Sequence, residues 1–151
     1  MKLSAVTIVA PNDPQGDWIA PGGEFDDLEV LTVGITDAFT DAQAARHQKL
    51  ARSWGGDATR APVRLLRKAN MDCLLAHSVF GLRNLKDDDG NDVPWEQVKK
   101  MVYEEQYRPL ANAMFAAANL VTARRAIDIE DAEGNSVPSS STSSNGVAGP
   151  T

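Results

Sequence analysis

Pro62-Val63-Arg64-Leu65-Leu66-Arg67-Lys68-Ala69-Asn70-Met71-Asp72-Cys73-Leu74-Leu75-Ala76-His77-Ser78-Val79 is a long, leucine-rich stretch without an internal proline or glycine. Pro62 suits a first helical turn, where its missing N–H would have no partner in any case. At about 100° per residue, Leu65, Leu66, Met71, Cys73, Leu74, Leu75 and Val79 spread round most of the circumference. The spacing predicts a central, largely enclosed helix reaching about Val79.

Upstream, Trp54-Gly55-Gly56-Asp57 breaks the chain before Pro62. Thr40-Asp41-Ala42-Gln43 has capping-box spacing, so a helix is expected from there to Arg52, with a weakly apolar and mostly wet face. Leu28-Glu29-Val30-Leu31-Thr32-Val33-Gly34-Ile35 has the β-branched content of a strand, with Leu31, Val33 and Ile35 on one face at period two. Pro11 to Gly23 reads as a loop anchored by Trp18 and Ile19. Met1 to Ala10 mimics a secretion signal, but such signals run to roughly 15 to 30 residues and this one meets Pro11 too early. A first strand is the expectation there.

Downstream, Asp87-Asp88-Asp89-Gly90-Asn91-Asp92 is a turn by chemistry, and the flanking Leu82, Leu85 and Val93 are expected to pair as a short hairpin. Pro94 opens a short amphipathic helix in which Trp95, Val98, Met101 and Val102 share a face. Pro109 restarts a helix with a stripe of Leu110, Ala113, Met114, Ala117 and Val121, and alanines elsewhere that permit close helix contact. After Arg125 the pattern fades, and the Ser-, Pro- and Gly-rich end from Val137 to Thr151 is expected to be mobile. The expectation is a mainly α fold with a small N-terminal β element, its helices packed round a central apolar one. Residues 1–36 form the β region, 37–130 the helical domain sharing one core with it, and 131–151 a flexible tail.

The whole chain has 151 residues, enough for one core and few for two. Its formal charge of −6, from 21 acidic and 15 basic residues, argues against nucleic acid and anionic membranes as partners. No stretch has the length needed to span a bilayer. Cys73 is the only cysteine, which removes internal disulfides and multi-cysteine metal sites and fits a reducing cytoplasm. The acidic loop fails as a calcium site in either register: one puts Leu85 in the first ligand position, and the other puts Asp92 where the turn wants glycine. His47 and His77 lack metal-ligand spacing. Cys73 and His77, four apart on one helix, could in principle form a nucleophile–base pair, but an apolar helix favours core packing for them. No catalytic residues, metal or cofactor are expected.

Tyr103-Glu104-Glu105-Gln106-Tyr107-Arg108-Pro109 sets two aromatics and an arginine at a helix break, a mixture that interfaces favour. With the flanking apolar residues it gives a candidate contact set of Trp95, Met101, Tyr103, Tyr107, Arg108 and Phe115.

Residues 72–135 resemble the small tail assembly chaperones of long-tailed bacteriophages and prophages. The resemblance is carried by Val79-Phe80-Gly81-Leu82 leading through Asp89-Gly90-Asn91-Asp92-Val93-Pro94-Trp95, and by Tyr107-Arg108-Pro109-Leu110 opening the alanine-rich helix. The exit from Thr122 to Asn135, where Arg124-Arg125 gives way to an acidic run, completes it. Glu96 stands where the family often has a capping Ser or Thr, and the first 70 residues match only in outline. The resemblance implies a non-enzymatic helper in the host cytoplasm that coats the tape measure protein and recruits tail tube protein, with room for self-association. The alternatives are a structural component of the virion's tail or neck, and a small enzyme or regulator using Cys73.

Overall fold

A computed structural model describes residues 16–136, with side chains through Ile127. The strand expected within 1–10 and the tail from Val137 onward lie outside the described residues. The fold is mainly α with a small three-stranded antiparallel sheet: β1 (Asp17–Ile19), β2 (Glu29–Thr32), α1 (Asp37–Ala51), α2 (Val63–His77), β3 (Val79–Arg83), α3 (Trp95–Met101) and α4 (Arg108–Ser136). Two compact units divide the chain. One is Pro11–Thr122; the described part of the other is the helical stretch from Ala123 to Ser136.

In the larger unit the sheet order is β1-β2-β3. Trp18 therefore pairs with Leu31, and Leu31 with Gly81, so the three form one row across the strands. The row works because Gly81 has no side chain: a Cβ there would lie 3.2 Å from the Trp18 ring and 3.4 Å from the Leu31 Cβ. The Arg83 guanidinium sits 4.1 Å from the Trp18 ring centre and also pairs with Glu29 at 3.1 Å. Trp18 and Ile19, expected as loop anchors, are thus part of an edge strand. Ladder hydrogen bonds to β2 outweigh the turn chemistry of the neighbouring prolines and glycines.

β2 stops at Thr32, earlier than its β-branched content suggests. The fully buried Thr32 hydroxyl donates to the Ser78 carbonyl at 2.7 Å and accepts from the Gly34 amide at 3.0 Å. Gly34, at φ 86°, then turns the chain away. Val33 and Ile35 consequently do not continue Leu31's face of the strand. The turn lets Thr36 cap α1, its side chain accepting from the Phe39 amide at 3.3 Å. Thr40, the expected cap, already lies inside the helix and donates its N–H to the Thr36 carbonyl.

α2 begins after Pro62, as its sequence dictates, but ends at His77, and Val79 opens β3. Only Met71, Cys73 and Leu74 along it are buried, while Leu65, Leu66 and Leu75 are half-covered. The enclosed helix is instead the first half of α4, where Leu110, Ala111, Ala113, Met114, Ala117, Ala118 and Val121 are all buried. Alanines let neighbours approach this helix on several sides, whereas α2 carries long cations at 64, 67 and 68 that must reach water.

Leu82 pairs with Val30 in the sheet, so the hairpin is shorter than expected. Its remnant is the Val93 amide on the Leu85 carbonyl at 2.9 Å, a bridge between Lys86 and Asp92, and a turn in which Asp87 Oδ1 accepts from the amides of Asp89 and Asn91. α4 runs on to Ser136, through the region where the apolar pattern fades and past the tail boundary expected at 131. Ala126, Glu130, Ala132 and Glu133 are good helix formers, and propensity extends the helix where a buried stripe does not. Among the described residues no helix is long and apolar enough to cross a membrane.

Candidate interaction groove

A groove of about 730 Å³ opens within the larger unit. Residues 64, 67, 68 and 71 of α2 recur at helical spacing and line one wall, and 108, 111, 112 and 115 of α4 line the other. The turn after α3 supplies Val102, Tyr103, Glu104 and Glu105. Met71, Val102 and Ala111 are buried beneath the opening, and Phe115 is half-buried.

Tyr103 is held in place by a polar network. Its hydroxyl donates to Asp72 Oδ1 at 2.5 Å, while Asp72 Oδ2 receives Lys68 at 3.1 Å and Arg46 at 3.3 Å. Partial burial works against the Asp72 charge, but the hydrogen bonds from Tyr103 and Lys68 and the charges of Lys68 and Arg46 outweigh it. The carboxyl is therefore held below the usual carboxylate range. Desolvation first, and then the bond to Asp72, push the Tyr103 phenol well above its ordinary value. Lys68 also lies 5.9 Å from the Tyr103 ring centre.

Three of the six expected contact residues, Tyr103, Arg108 and Phe115, come together in the groove. Arg108 pairs there with Glu105 at 3.2 Å. Trp95, Met101 and Tyr107 do not line it; all three are half-buried against the core. Lys99 additionally lies 5.9 Å from the Trp95 ring centre. For Trp95 and Met101 this follows from α3 spanning only seven residues with one face to give to the core, whereas Tyr107 lies in the short turn before α4.

The sequence reading missed the basic wall of Arg64, Arg67 and Lys68. The signal was present as cations at i, i+3 and i+4, hidden by the leucines interleaved with them. Arg64 and Arg67 are exposed and make no ion pair among the described residues.

Elsewhere, Cys73 is fully buried, and desolvation pushes its thiol up, with the Arg46 charge acting in the opposite direction. No hydrogen bond joins it to the half-buried His77 among the described residues. His47 Nε2 lies 2.9 Å from Asn70 Oδ1, which also accepts from Gln43, so His47 is occupied in holding α1 to α2. Among the described residues no group of three or more His, Cys, Asp or Glu is placed to hold a metal ion. Compared with protein-family models, curated proteins and solved structures, the chain matches none.

Proposed function

We propose that this protein is a non-enzymatic tail assembly chaperone, acting in the host cytoplasm, that covers apolar helical stretches of a tape measure protein and recruits tail tube subunits. The observation that carries the proposal is the open groove whose apolar floor is edged by Tyr103 and Phe115. A groove between two helices with an aromatic at its rim suits the apolar face of a third helix, which is how amphipathic helices are commonly bound. The chain's net negative charge supports solubility of such a complex. The buried thiol of Cys73 weighs against the alternative of a reactive-cysteine enzyme.

The test is co-expression with the tape measure protein and affinity capture. Asn112 lines the groove and is exposed, so Asn112→Trp fills the opening without entering the core. Loss of capture, with an unchanged thermal unfolding curve, is the expected result; undiminished capture would remove the groove from the account. Mass spectrometry of purified particles separates a chaperone, absent or scarce there, from a structural tail or neck component.

A further inference from the structure

In a molecule with six more acidic than basic residues, one wall of the groove concentrates positive charge. Lys68 on that wall and Arg108 on the opposite one are already engaged by Asp72 and Glu105, whereas Arg64 and Arg67 have no anionic partner among the described residues. An apolar floor beside unpartnered guanidinium groups favours an occupant that is helical, partly apolar and acidic.

The chain itself contains such a segment. Residues 127–133 read Ile-Asp-Ile-Glu-Asp-Ala-Glu, with four carboxylates in about two turns of helix, and they lie within the helical span of α4. Ile127, at its start, is 55% exposed. The placement is unfavourable for an isolated helix: the C-terminal end carries the negative pole of the macrodipole, and α4 has no basic residue in its last turn. Cations supplied from outside would relieve both the dipole and the mutual repulsion of the carboxylates.

We infer that the groove walled by Arg64 and Arg67 receives the acidic segment 127–133 of a second copy of this chain, so that the protein self-associates through it. At helical spacing Ile127, Glu130 and Asp131 fall on one face of this segment, so that Ile127 would meet the floor at Phe115 while the acidic charge of that face meets Arg64 and Arg67. The inference uses the same groove as the proposed client but does not depend on it, since it is tested with the purified protein alone.

The experiment is sedimentation velocity of the full chain across a concentration series at low and at physiological salt. Concentration-dependent self-association is expected, weakened by about tenfold or more as salt screens the contact. Arg64→Glu with Arg67→Glu, both at exposed positions, should give a monomer with an unchanged circular dichroism spectrum. Glu130→Lys with Asp131→Lys should do the same. Mixing the two reversed proteins restores matched charges at both contacts, so association should return in the mixture alone. A wild-type chain that stays monomeric throughout the series would overturn the inference. So would association that survives reversal of the groove, or a mixture that remains dissociated. Any of these results leaves capture of the tape measure protein to be judged on its own assay.

Discussion

Tyr103 donates its phenolic hydrogen to Asp72 across 2.5 Å, joining the turn after α3 to the middle of α2 and fixing the aromatic edge of the groove. The two residues are 31 apart in sequence. Their bond sets the position of a side chain that is 43% exposed and would otherwise be free to swing into solvent.

This bond makes stability depend on pH at both ends of the scale. Asp72 has a native value depressed below 3.8, so its contribution is present above that value and is lost as pH falls through the native one. Tyr103 has a native value raised above 10.0, so its contribution is complete below that value and is lost as pH climbs through the raised one. Tyr103→Phe should cost about 1 kcal/mol at neutral pH, below the usual range for a hydrogen bond to a charged acceptor because the pair is partly wet. Urea unfolding as a function of pH checks this: the gap between wild type and variant should close in strong acid, where Asp72 is protonated in both.

Gly81 tests the row across the sheet. Valine is a better strand former than glycine, so propensity alone predicts stabilisation. The structure predicts the reverse, because the new side chain would press on Trp18 and Leu31, and Gly81→Val should cost roughly 1–3 kcal/mol through overpacking. Adding Trp18→Ala should recover part of that loss in chemical denaturation. If Gly81→Val proved stabilising, Trp18 would not lie over this position.

Cys73 should react slowly with a thiol reagent near neutral pH, at least about 100-fold slower than in the urea-unfolded chain, since it must wait for an opening of the fold. A rate equal to that of the unfolded thiol would reopen the reactive-cysteine reading.

Segments ruled by local chemistry were legible without coordinates. Pro62, Pro94 and Pro109 mark helix starts to within a residue, and Gly55, at φ 68°, ends the first helical stretch. The α4 stripe of Leu110, Ala113, Met114, Ala117 and Val121 is buried as its spacing requires. Where two local solutions were equally good, sequence could not choose between them. Thr36 and Thr40 stand one helical turn apart, and Thr36 caps because Gly34 turns the chain just before it. The same limit applies to the groove, since an apolar residue at helical spacing serves a core or a partner equally well. Trp95, Met101, Tyr107 and Phe115 all pack against the core half-buried, but of the four only Phe115 also lines the opening.

By itself, then, the order of residues determined that there would be several helices, where prolines and glycines break the chain between them, and that a small sheet would accompany them. These follow from dihedral limits and periodicity within a few residues of chain. Only tertiary structure decided which helix is enclosed, that Trp18, Leu31 and Gly81 align across three strands, and that Arg64, Arg67, Tyr103 and Phe115 border one opening. Those outcomes depend on side-chain volumes and charges meeting between separate elements of the chain, where long cations must reach water and small alanines can be surrounded.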